Sequence, residues 1–372
     1  MTASTLVFVG GLNQAVPHFA AANGKGISVF GFDETTGRMS WLSDTTDVPN
    51  PTWLAVVPQR QMLYATSEMS VRPEGWISAF RIDPASGLLA EAGSRRSTRG
   101  SLSAHCNTDR EGHCVLVANY SHETPGEIPG RHVVSFRVMS DGALTPAVNE
   151  CVHTATGPRA DRQAVPHPHC ITPALDNRFV IVPDLGGDQL VTYRLDATSA
   201  RIERTEGEPL SVSPGSGPRH VVFHPDGTTA YVVNELSNTV CRLGYDAQTG
   251  ALELLQTFEG LLADAAPSYG AGLLVSADGR FLYATYRGDD SVMTYALDER
   301  DGTILTAARH DSGGKTPRSF ALSPSGKFML VANQDSDRIV VLRLDPHSGA
   351  PTEQVETVSI GTPMCVQAVK FD

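Results

Sequence analysis

A short phrase recurs seven times along this chain: an acidic residue ends a strand-like run, and a tight turn closes on a small residue. The copies are FDETTG (Asp33–Gly37), IDPASG (Asp83–Gly87), MSDG (ending Asp141–Gly142), LDATSA (Asp196–Ala200), YDAQTG (Asp246–Gly250), LDERDG (Asp298–Gly302) and LDPHSG (Asp345–Gly349). Their closing residues follow one another at intervals of 47 to 58 residues. A period in that range means one supersecondary unit repeated side by side. The turn chemistry is that of a hairpin, since Asp bonds its own backbone two residues on and Gly accepts the positive φ that ends the turn.

Each unit reads as four strands. The first often opens with an X-Pro-X start, as in NPTWLAVVP from Asn50, GPRHVVFHP from Gly217 and TPRSFALSP from Thr316. A polar turn leads to the most apolar strand (MLYATSE, VLVANY, FVIVPD, AYVVNE, FLYATY, FMLVAN). An alternating third strand, the acidic turn and a more polar fourth strand complete the unit, and no segment sustains the 3.6-residue period of a helix. Seven such units predict an all-β, seven-bladed β-propeller with four-stranded blades. The ends of the chain fit that reading. TLVFVGG at the N-terminus is a second-type strand, and its missing first strand is TPMCVQAVKFD, Thr362–Asp372, at the C-terminus. One blade closed by both termini leaves no open sheet edge. Residues 1–372 are therefore expected to form one propeller domain; two all-β domains would need a linker near the middle, and the composition does not change there.

A net charge of −12 argues against nucleic acid or an anionic membrane as partner. It leaves room for an anionic small molecule, because a few local arginines reverse the sign inside a pocket. No run approaches 18 apolar residues, and MTASTLVFVGG lacks the basic start of a signal peptide. The six cysteines form no C-x-x-C pair, so reduced thiols and a cytoplasmic location are expected.

In a propeller the first strands line the central channel, so polar residues there, or just after second strands, are the candidates for chemistry. VPHPHCITP carries His167 and His169, two apart and on one strand face. The next unit supplies Arg219 and His220 in GPRH, then Asn234 and Glu235 in VVNEL. An imidazole moves protons near neutral pH, a carboxylate can activate water, and a guanidinium holds an oxyanion. His169, Arg219 and Glu235 form the candidate catalytic group. His167, Arg318, Arg287, His105, Glu68 and Asn234 form the candidate substrate-binding set. The competing readings are structural. The histidines could be satisfied turn or core residues, the repeated Pro-Arg of Arg219 and Arg318 could make blade-to-blade ion pairs, and Glu235 could be the partner of such an arginine. For His105, Glu68, Asn119 and Arg287, inter-blade hydrogen bonding is the simpler reading. A metal held by His167 and His169 with Asp184 or Glu235 would rest on only two ligands at this spacing, so no metal or cofactor is expected.

At these residues the chain resembles a known group. HPHCITPALDNRFVIVPDLGGDQL and GPRHVVFHPDGTTAYVVNEL are similar to the seven-bladed lactonase family, which includes the cycloisomerase-type 6-phosphogluconolactonases and the 3-carboxy-cis,cis-muconate lactonizing enzyme. NPTWLAVV, VLVANYS, DGRFLYATYRGDDSV and TPRSFALSPSGKFMLVANQDSD extend the resemblance over essentially the whole chain. It implies a His, an Arg and a Glu in the channel, falling by motif on His169 (with His167 as second choice), Arg219 and Glu235. One departure is Tyr286 before Arg287, where the family often has Asn. The implied activity is hydrolysis of a sugar-acid lactone. Glu235 would activate water, directly or through His169; Arg219 would hold the oxyanion or an acidic group; His169 would protonate the ring oxygen. Two other readings stand beside it: a cycloisomerase acting on an unsaturated dicarboxylate, and a propeller scaffold without enzymatic activity.

Overall fold

The structure, a computed structural model, describes residues 4–69, 74–121, 130–261 and 265–372, and they form seven antiparallel sheets. Inner strands pack on inner strands from Pro363–Phe371 round to Pro317–Leu322 and back, except that the fourth blade meets Pro218–Phe223 through its second strand Phe179–Asp184, so the sheets are the blades of a closed ring. In the first blade the C-terminal strand Pro363–Phe371 is innermost and pairs with Ser4–Gly11, which pairs in turn with Ile27–Phe32 and Met39–Thr45. Five sheets have four strands. The second and fourth blades add a short fifth, Arg96–Ser97 and Leu210–Ser211.

The core is divided among the blade junctions. Seven hydrophobic clusters each draw residues from two neighbouring sheets, for example Phe179 and Ile181 with Val221 and Val232, or Tyr231 and Val233 with Leu282 and Tyr295. The second strands supply most of it; Cys114–Asn119, Phe179–Asp184, Thr229–Asn234 and Phe328–Asn333 are buried along their whole length. A sheet buried on both faces needs an unbroken apolar run, and these are the runs that read as most apolar in the sequence.

The acidic turns are the joints of the ring. All seven closing residues have positive φ, from +60° at Ala200 to +86° at Gly142. Each also meets the preceding blade. The Gly142, Gly302 and Gly349 carbonyls accept from the hydroxyls of Tyr64, Tyr231 and Tyr283, and the Gly87 and Ala200 carbonyls accept from Ser43 and Ser135. Gly37 and Gly250 lie against the rings of Phe328 and Phe179.

The expected first strand of the fourth blade departs from the pattern. In Val165–Pro173 only Thr172–Pro173 and an isolated bridge, Pro168 to Asp184, pair with the neighbouring strand. Pro166, Pro168 and Pro173 lack the N–H that a ladder requires.

Candidate active site

The inner strands enter the channel through bulges. The register slips between Pro218 and His220, between Pro317 and Ser319, and in the pairing of Ser103 and His105 with the neighbouring strand. A bulge inserts one residue and re-aims its side chain. Arg219 and Arg318 occupy these inserted positions on the fifth and seventh blades, and Ala104 does so on the third. His169 stands at the equivalent place on the fourth, one residue after the Pro168 bridge. One residue further on lies a second layer, with Trp53, His105 and His220 packed ring to ring at centroid distances of 4.2 to 5.5 Å. This layer divides the channel. A cavity of about 650 Å³ opens on the side where the inner strands begin, and another of about 540 Å³ opens on the far side.

The first cavity holds the charge. It is lined by Glu68, Tyr120, Arg162, His167, His169, Glu235, Tyr269, Arg287 and Arg318, with His18 and Phe19 at its edge. Glu235 is its hub. Its Oε2 accepts from Arg219 Nε at 3.0 Å and lies 2.9 Å from Arg287 Nη2, while its Oε1 is 2.5 Å from Arg162 Nη2. Burial alone would raise the Glu235 pKa, but the Arg287, Arg219 and Arg162 guanidiniums outweigh it and hold the carboxyl far below the usual range. Arg219 lies beneath the hub and is only 2% exposed; it also donates to the Ala271 carbonyl and approaches His220 Nε2 at 3.0 Å. Burial and the neighbouring Arg287 push its pKa down to about 9, which leaves it a cation at neutral pH.

The two histidines differ. His167 stacks on Tyr120 at 4.2 Å, and its Nδ1 lies 2.8 Å from the Tyr120 carbonyl. A carbonyl only accepts, so Nδ1 carries the hydrogen and Nε2 keeps its lone pair. Burial lowers the His167 pKa, partly opposed by that carbonyl and by Asp184. His169 is buried, with Tyr120 and His220 each about 5.4 Å away, and its Nδ1 has no hydrogen-bond partner among the described residues. Burial, together with Arg219, Arg318 and Arg287, holds it well below the ordinary histidine range, so it is neutral.

The remaining candidates separate by position. Glu68, just after its second strand, and Arg287, at the end of its own, stand in register with Glu235 and line the cavity; Glu68 lies 3.8 Å from His18. Arg318 lines it too, with its guanidinium 4.9 Å over the Phe19 ring. Two expected binding residues fall outside. His105 belongs to the dividing layer, where its Nε2 is 3.5 Å from the Cys170 thiol, because the bulge shifts it one place below Ala104. Asn234 points into its own blade and donates to Thr239 and Cys241. The equivalent Asn119 likewise donates within its surroundings, to the Thr98 and Arg131 carbonyls. Asp184 is committed elsewhere. Its Oδ2 meets His153 Nδ1 at 2.8 Å, and its Oδ1 accepts from the backbone of His167, Gly186 and Gly187. No group of three or more His, Cys, Asp or Glu side chains among the described residues is placed to hold a metal.

Arg162, Tyr120, Tyr269, His18 and Phe19 were not expected from the sequence. Arg162 sits on the connection between the third and fourth blades, residues 152–167, where no strand pattern locates a side chain. Tyr120 was legible: it follows its second strand as Glu235 follows Asn234.

The chain matches the family of seven-bladed β-propeller lactonases over residues 7–368, and it belongs to that family. It is 31% identical over 350 residues to the 6-phosphogluconolactonase of Bacillus subtilis, an alignment covering 94% of this chain and 96% of that protein. The 6-phosphogluconolactonase of Formosa agariphila is also 31% identical, with 92% of this chain and 93% of that protein covered. Among solved structures, the periplasmic gluconolactonase of Pseudomonas aeruginosa superposes with a TM-score of 0.88 at 31% identity over 99% of both chains.

Proposed function

We propose that this protein hydrolyses a sugar-acid lactone in the cavity around Glu235. The observation that carries the reading is the juxtaposition of two neutral, cavity-lining histidines with guanidiniums clustered on one carboxylate. The lactonase names of the relatives support it.

The geometry favours a division of labour different from the one expected from the sequence. A carboxylate engaged by three guanidiniums on both oxygens is a poor proton acceptor, so Glu235 orients the arginines. His167 is the better base. Its Nε2 lone pair takes a proton from water, and the Tyr120 carbonyl and Asp184 favour the imidazolium that results. Water oxygen bonds to the lactone carbonyl carbon, and the developing oxyanion is met by Arg287 and Arg162, which line the cavity with donors beyond those given to Glu235. Neutral His169 can donate a further hydrogen bond. As the ring C–O bond breaks, His167 returns its proton to the ring oxygen, and the products are one hydroxy acid and the unchanged protein. Arg219, buried under the hub, is a positioning residue.

The test is acid release from a panel of 6-phosphogluconolactone, glucarolactone and gluconolactone, corrected for spontaneous hydrolysis. At least one member is expected to be hydrolysed at a rate proportional to protein concentration. Background rates across the whole panel would overturn the proposal.

A further inference from the structure

The repeat contains its own control for the Arg219–Glu235 pair. Arg219 occupies the bulge of the fifth blade, and Glu235 follows the second strand of the same blade. Pro218 pairs with Asn234, which sets the two side chains together. The seventh blade repeats the arrangement: Pro317 pairs with Asn333, Arg318 occupies the bulge, and the residue in the place of Glu235 is Gln334. The carboxylate is missing from that copy. Gln334 turns its amide to Asp335 at 2.8 Å, and Arg318 makes no hydrogen bond or ion pair among the described residues.

Arg318 is nonetheless a built feature. Its guanidinium lies 4.9 Å over the face of Phe19. Phe19 belongs to the connection that packs through Leu12 and Val16 on Met364. Glu68 is near enough for its charge to act on Arg318, but the two form no ion pair, and His18 Nε2 stands 3.8 Å from the Glu68 carboxylate. On the sixth blade, between the two arginines, the inner-strand residue is Ala271, which extends no side chain to either. A cation lining a cavity with its donors unused is costly unless something fills the place of the partner. Of the arginines at the cavity, Arg162 and Arg287 on its wall and Arg219 beneath it already share Glu235, which leaves Arg318 as the one not bound to that carboxylate.

We propose that Arg318, backed by Phe19, anchors an oxyanion substituent of the substrate, a carboxylate or a phosphate, in the place that the Glu235 carboxylate fills on the fifth blade. The anchor would select lactones carrying a second anionic group remote from the ester. It rests on the lactone reading for its substrate, but its binding test does not require turnover.

Calorimetric titration with gluconate, glucarate and 6-phosphogluconate separates the possibilities. Gluconate carries only the carboxylate that hydrolysis releases; the other two add a carboxylate or a phosphate. Arg318→Met is expected to weaken binding of glucarate or 6-phosphogluconate by ~10- to 100-fold, as for loss of charge-assisted hydrogen bonds, and to change gluconate binding less than ~3-fold. Whichever ligand shows the larger loss identifies the substituent. Gln334→Glu restores the internal carboxylate and is expected to reproduce the selective loss while keeping the arginine, so a folding defect in one variant does not decide the matter. Equal losses for all three ligands, or no loss for any, would overturn the anchor. Selective losses with no lactone hydrolysed would leave the anchor standing and remove the lactone reading.

Discussion

Glu235 shows how little a residue type says about its role. As a lone carboxylate in VVNEL it reads as a base. In the fold it is surrounded by Arg162, Arg219 and Arg287, and the same charge becomes an ion hub. Replacing Glu235 by Gln leaves Arg219 buried beside His220 without its counter-ion, which is expected to cost roughly 3–5 kcal/mol of stability. Denaturant melts of the variant check this, and an unchanged midpoint would contradict it. The reverse applies to His167, whose importance lies in one hydrogen bond to a carbonyl that fixes its tautomer. Burial lowers its pKa, so kcat/KM for the lactone should rise with pH and reach its plateau through an inflection below the ordinary histidine value of about 6.5. An inflection above that value would assign the base elsewhere. Of the site, His169, Arg219 and Glu235 were legible as a group because they stand on first strands, or just after a second strand, of two adjacent blades. Arg162 was not, since its position depends on a long connection with no periodicity. His105 was misplaced by one residue, which the bulge turns into a different layer of the channel.

Among elements, the acidic turn and the 152–167 connection carry most of the organisation. The turn was read as a local hairpin device, and that is half of its role. Its closing residue also meets the preceding blade, a contact distant in sequence, and across the ring closure for Gly37 and Phe328, that no local pattern reveals. Gly250 makes the point: φ is +77°, and an added Cβ would stand 2.5 Å from the Phe179 ring. Gly250→Ala combines backbone strain with a clash at a blade joint and should destabilise the protein by ~1–3 kcal/mol, measurable as a lowered thermal midpoint. The connection is clasped at both ends by one buried carboxylate. Asp184 receives His153 from its start and the His167 backbone from its finish, and Gln163 donates to the Leu185 carbonyl between them. Asp184→Ala should release the connection while the propeller remains. Tryptic cleavage after Arg159 or Arg162 would then accelerate by at least ~10-fold through local opening, with far-ultraviolet circular dichroism unchanged. Equal cleavage rates in the two proteins would show that the clasp holds nothing.

For the whole molecule, the ring was the most legible feature, because the period, the strand order and the two incomplete ends all specify one closure. The register of Ser4–Gly11 with Pro363–Phe371 realises it. What the repeat could not show is how polar the interior of the ring is. Burial holds His105 near 3 and His132 near 4, and His169 and His220 also lie well below their ordinary value, so four imidazoles are neutral in the fold. In the unfolded chain they titrate at about 6.5. Below that pH the unfolded state binds more protons, so their contribution to stability is complete above about 6.5 and is lost progressively as the pH falls toward 4. The buried Glu235 and Asp184, with pKa values lowered in the fold, act in the same direction. Thermal midpoints should therefore fall steeply between pH 6.5 and pH 4, and a flat profile would contradict so many buried neutral histidines.

In the proposed reaction His167 is the proton-transfer group. The most direct measurement is the background-corrected kcat of His167→Ala against the unaltered chain on the best lactone of the panel. A fall of at least ~100-fold with the thermal midpoint retained is the predicted result. A variant that folds and turns over within a few-fold of the parent would contradict it.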